Sequence, residues 1–117
     1  LNQITTDIIP EPTIKQCLSL AQRFVEANKA SGSSQIDIDN ATLMLARAFA
    51  FSNYIETIHR ERGDFPVASR PQLLMMYREA SEFLRIVGID GFALRKHINR
   101  LQPPLYLPES YKDYESW

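Results

Sequence analysis

The stretch from residue 39 to residue 62 most narrows what this chain can fold into. Leu45, Ala48, Phe49, Ser52, Ile55 and His59 recur at the spacing of one helical stripe. Ala41, Leu43, Met44, Ala46, Ala50, Phe51, Tyr54 and Ile58 spread apolar character around much of the remaining circumference. A helix apolar on several sides is wrapped by other elements, at the centre of its own domain or inside a subunit interface. Asp39 or Asn40 is placed to accept bonds from the free N–H groups at its start.

The rest of the chain supplies helices to do the wrapping. Residues 12–30 place Ile14, Cys17, Leu18, Ala21, Phe24, Val25 and Asn28 on one face, with Pro12 suited to the opening turn. Ser31-Gly32-Ser33-Ser34 ends that helix and makes a flexible connection. After the turn chemistry of Gly63-Asp64-Phe65-Pro66, Ser69-Arg70-Pro71-Gln72 reads as a capping box that starts a third helix. Leu73, Met76, Tyr77, Ala80, Phe83, Leu84 and Val87 form its buried face, and Gly88 is placed to end it in a left-handed turn. Asp90 can cap a short fourth helix over residues 91–101, with Leu94, Ile98 and Leu101 inward and Arg95, Lys96 and Arg100 on the other face. Pro103-Pro104 stops it.

No strand-like alternation or solenoid repeat interrupts this pattern. In a chain of 117 residues with 44% hydrophobic side chains, it predicts one all-α domain. The expected architecture is a small helical domain over residues 1–102, a helical hairpin with one or two helices packed across it. An extended Pro- and aromatic-rich tail is expected over residues 103–117. No run is apolar enough to span a bilayer, and the first ten residues lack the basic and apolar regions of a signal peptide. The chain opens on Leu1 rather than Met, which leaves room for a trimmed start. One cysteine, Cys17, cannot form an internal disulfide, so a reducing, cytoplasmic compartment is expected.

The residues give little purchase for catalysis. One cysteine and two histidines, His59 and His97 on different helices, are a poor start for a metal site. The four glycines make neither phosphate-cradle spacing, and no Gly-x-Ser-x-Gly elbow occurs. Cys17, on an apolar stripe, reads as a small buried hydrophobe. Asp37 and Asp39 read as helix-start acids and Glu56 with Arg60 as a solvated i,i+4 pair. No enzymatic activity, cofactor or metal is expected.

Two features point to binding instead. Thirteen basic and fourteen acidic residues nearly cancel, so any cationic footprint has to be local. Arg85, Arg95, Lys96, His97 and Arg100 gather with only Asp90 against them, a pattern suited to phosphate contact, or to simple solvation at a helix C-terminus. The second feature is the tail. Leu105, Tyr106 and Leu107, flanked by prolines, have the composition of an extended segment that docks in a groove, on its own domain or on a partner. Tyr111, Tyr114 and Trp117 follow at a spacing of three and could form a short apolar face.

The layout resembles the small terminase subunits of tailed phages. Residues 39–62 carry the likeness as a capped helix rich in Ala and aromatics that ends in Glu-Arg charges. Residues 69–96 carry it as a long helix and the turn Gly88-Ile89-Asp90-Gly91 leading to Arg95 and Lys96, and the two stretches cover roughly half of the chain. Where that family commonly has Gly-Leu-Thr-Pro, Asp90 stands for Thr and Gly91 for Pro. The resemblance implies a ring-forming homo-oligomer that binds DNA and hands it to a larger ATPase subunit; from charge and hydropathy, no membrane partner is expected. The alternative from the residues themselves is a protein–protein interaction module that binds no nucleic acid.

Overall fold

The computed structural model describes residues 9–62 and 69–101; the side chains at positions 59, 60, 62, 69 and 70 lie outside that description. The described chain is all-α, with four helices: α1 Glu11–Asn28, α2 Gln35–Arg62, α3 Ser69–Ile86 and α4 Gly91–Asn99. The tail residues Leu105, Tyr106, Leu107, Tyr111, Tyr114 and Trp117 lie outside the described residues, as does the loop around Gly63 to Pro66.

α2 is the centre. It packs along α1 on one side and α3 on another. Its buried residues, among them Ala41, Leu45, Ala46, Ala48, Phe49, Ala50, Phe51, Ser52 and Ile55, cover most of its circumference. The broad apolar character of this helix is thus used inside a single chain. Its alanines let neighbouring helices approach closely, and Phe49 and Phe51 fill the space between. α1 contributes Cys17, Ala21, Phe24 and Val25, and α3 contributes Leu73, Tyr77, Ala80 and Leu84. Ile9 is also buried. It precedes the N-cap Pro10 and, with Ile14, occupies the positions of a hydrophobic staple.

α1 stops at Asn28 rather than continuing to residue 30, for a tertiary reason. Lys29 turns extended and still donates its N–H to the Val25 carbonyl, but the Ala30 N–H donates to the carbonyl of Val87, at 2.8 Å. Asn28, expected on the buried face, is exposed and donates its Nδ2 back to the Phe24 carbonyl at 2.8 Å. The connection to α2 is a turn, with Gly32 at φ +88° and both the N–H and the Oγ of Ser33 donating to the Ala30 carbonyl. α2 then begins a turn earlier than Asp39. The Ser34 Oγ accepts from the Asp37 N–H at 3.2 Å, and the Ile38 N–H donates to the Ser34 carbonyl. Asp39 is inside the helix, where its Oδ1 accepts from Gln35 Nε2.

α3 starts at Ser69 as expected; the bonds expected of the Ser69 side chain lie outside the described residues. Its end follows the expected left-handed turn. Gly88 has φ +84°, its N–H donates to the Arg85 carbonyl, and the Ile89 N–H reaches back to the Leu84 carbonyl at 2.9 Å. This is the Schellman pattern, with buried Leu84 and Ile89 at its hydrophobic positions. Asp90 caps α4 by accepting from the Ala93 N–H at 2.9 Å. α4 closes at Asn99, two residues before the expected end, where Arg100 and Leu101 donate to carbonyls three residues back and tighten the last turn.

The two turns meet. A Cβ placed on Gly88 would lie 2.7 Å from the Ala30 Cβ. The Ala30 to Val87 bond and this close approach fasten the α1–α2 connection to the α3–α4 connection. No helix among the described residues is long and apolar enough to cross a membrane.

Candidate nucleic-acid interface

α4 is short, and two inward residues, Leu94 and Ile98, are buried in the core. A third contact sets its position over α1. The His97 ring lies 4.6 Å from the Phe24 ring, tilted by 39°, and 6.4 Å from that of Phe49. His97 therefore sits in the seam between α1, α2 and α4. Its Nε2 is buried and has no hydrogen-bond partner among the described residues.

This seat decides where the charges go. Arg100 follows His97 on α4, and Arg23 adjoins Phe24 on α1, so both guanidinium groups bear on the imidazole. Burial first, then the charges of Arg100 and Arg23, hold the His97 pKa below the ordinary histidine value. Arg23 is exposed and donates to the Ser19 Oγ at 2.7 Å. Arg23 from α1 thus adds to the cations of α4, and together they form a candidate cationic rim. Arg23 was not legible as a member, because nothing in its spacing links it to α4.

The residues expected to bind nucleic acid divide into three kinds. Lys96 and Arg100 are exposed at the end of α4. The Lys96 Nζ lies 5.2 Å from the centre of the exposed Phe92 ring, a cation–π contact that orients the ammonium without removing it from water. Arg95 is half-buried, with its Nη1 shielded from solvent, and is engaged within the fold, so it is less available than its place in the sequence implied. Arg85 is exposed but belongs to the last turn of α3, and it too is engaged.

Two lysines of α1 and its following turn are locally matched. Lys15 pairs with Glu11 and Lys29 with Glu26, each at 3.7 Å. Glu56 is half-buried and engaged, while its expected partner Arg60 has a side chain outside the described residues. Cys17 is buried on α1, and burial pushes its thiol up to about 11, which removes the thiolate that nucleophilic chemistry needs. No group of three His, Cys, Asp or Glu side chains among the described residues could hold a metal ion.

No protein-family model, curated protein or solved structure matches this chain, so the chemistry of the rim rests on its own geometry.

Proposed function

We propose that the chain is a non-enzymatic binding and assembly protein that contacts nucleic-acid phosphates through Arg23, Lys96 and Arg100. The observation that carries this reading is the convergence of Arg23 and Arg100 around His97, with Lys96 exposed on the same short helix. The core fixes the backbone positions of these cations, while their exposed side chains are left to adjust to a phosphate chain. Its most specific form is a packaging adaptor of the terminase small-subunit type, a homo-oligomer that binds DNA and delivers it to an ATPase subunit. The resemblance over residues 39–62 and 69–96 supports that form.

A test is DNA-duplex binding by fluorescence anisotropy across a salt series, with light scattering on a sizing column for mass. Three phosphate contacts give a log–log salt slope of about −2.7, and Lys96→Ala or Arg100→Ala lowers its magnitude by about one without unfolding the chain. Binding that ignores salt, or variants that bind as the parent does, would refute the phosphate reading. A large closed oligomer that shifts with DNA supports the adaptor.

A second reading, a protein-only module, is favoured by Ile36 and Leu43. They are 73% and 54% exposed and lie two helical turns apart on α2. That reading expects a chain indifferent to DNA, whose partner capture is lost on deleting residues 105–117.

A further inference from the structure

We propose that α4 is a proton-released element: it stays docked while His97 is neutral and loosens from α1 and α2 when the ring takes a proton. The argument is independent of any nucleic-acid role and begins with the seat itself. α4 spans Gly91–Asn99, about two and a half turns, and is held by Leu94, Ile98 and the stacked His97 ring. A helix this short has little stability of its own and depends on tertiary contacts.

Burial and neighbouring charge at His97 favour its neutral form, against a modest cation–π attraction of the charged ring to Phe24. From α1 it meets the Phe24 ring and the Arg23 charge; from α2, the uncharged Phe49 ring; from its own helix, the Arg100 charge. The buried Nε2 finds no acceptor among the described residues. In the imidazolium Nε2 is an N–H donor with no such acceptor, and the ring is a cation beside two others. Position on the helix pulls the other way, since a positive charge in a last turn is favoured by the dipole. That effect is modest, and burial with two arginines outweighs it, in agreement with the lowered pKa of the ring.

The sign follows. A folded-state pKa below the unfolded value means the unfolded or undocked form binds more protons between the two values. Docking is therefore strongest above the ordinary histidine pKa of about 6.5 and weakens as pH falls below it. The change lies within the range of mildly acidic compartments or media.

The test uses the full chain with His59→Gln, so that a single imidazole titrates. His97 ring signals are followed by NMR from about pH 7.5 to about pH 5, together with amide exchange in α4 and α2, corrected for intrinsic rates. The expected result is a ring pKa below that of free histidine, with α4 amides losing protection towards the acidic end and α2 amides changing less. His97→Phe keeps an aromatic ring without a proton site and should leave α4 protection flat with pH. A protonated His97 with undiminished α4 protection, or a ring pKa above the free value, overturns the proposal. So does an acid response of α4 that persists in His97→Phe. The titration of the histidine-bearing chain decides the matter even if that variant fails to fold.

Discussion

Replacing Gly88 by Ala separates two costs that usually arrive together. The backbone there has φ +84°, where an alanine is disfavoured by about 1–2 kcal/mol. Stiffening the unfolded chain returns about 0.4–1 kcal/mol. Gly32 provides the reference for this part alone, because it has φ +88° and nothing within 4 Å of an added Cβ. Gly32→Ala should therefore cost about 0.5–1 kcal/mol. At Gly88 the new methyl would also stand 2.7 Å from the Ala30 Cβ, against about 3.5–4 Å for carbons in contact. The turns must part by nearly an ångström, which strains the 2.8 Å bond from the Ala30 N–H to the Val87 carbonyl. Overpacking of this kind costs about 1–3 kcal/mol, giving about 1.5–4 kcal/mol in all for Gly88→Ala. Urea denaturation followed by far-UV circular dichroism measures both variants, provided the slope with denaturant is unchanged. Ala30→Gly in the Gly88→Ala background removes the offending methyl and leaves neighbours at 3.5 and 3.6 Å, ordinary contact distances. It should recover about 1–3 kcal/mol in a double-mutant cycle. Equal costs at Gly88 and Gly32, or no coupling to Ala30, would show that the turns do not touch as described.

The remaining expectations are local. Cys17, with its thiol pushed up to about 11, should have a thiolate fraction on the order of one in a thousand at about pH 8. Its modification by a disulfide reagent should be slow in the native chain and rapid in denaturant; rapid native labelling would refute its burial. Ser34→Ala and Asp90→Ala each remove the acceptor of a capping bond and should cost about 1 kcal/mol by urea denaturation. Asp39→Ala should cost less than Ser34→Ala, because Asp39 accepts only from an exposed side chain, and the reverse order would return the start of α2 to residue 39. Phe24→Ala empties the seat of His97 and should cost about 3–5 kcal/mol in unfolding experiments, with α4 the first element to lose exchange protection.

Much of the fold was legible because it is written in short-range chemistry. The end of α3 and the start of α4 depend on a glycine in a left-handed turn and an aspartate three residues before the N–H it caps, both readable from neighbours in sequence. The stripe of α2 was equally plain, since Leu45, Phe49, Ser52 and Ile55 are buried as their spacing implies. The start of α2 was misplaced because Ser34 is embedded in a run of Ser and Gly that also encodes the preceding turn, and Asp39 and Asn40 downstream offered a rival cap. The end of α1 was misplaced because the amide that leaves the helix is claimed by Val87, far along the chain. The candidate site was half legible. Local charge density found Lys96 and Arg100, but the partial burial of Arg95 and the arrival of Arg23 depend on how α4 lies on α1. Periodicity within one helix carries no information about that placement.

The fastening between the two turns also bears on the order of folding. α1 with α2, and α2 with α3, are neighbours along the chain, so their pairing closes only modest loops and is entropically cheap. The Ala30 N–H and Val87 carbonyl are separated by all of α2 and α3, so their meeting is entropically cheapest once both hairpins have formed. The expected place for such a contact is the native side of the barrier. If it forms there, strengthening it slows unfolding while leaving the folding rate almost untouched, and the junction then governs how long the folded chain persists rather than how quickly it is reached.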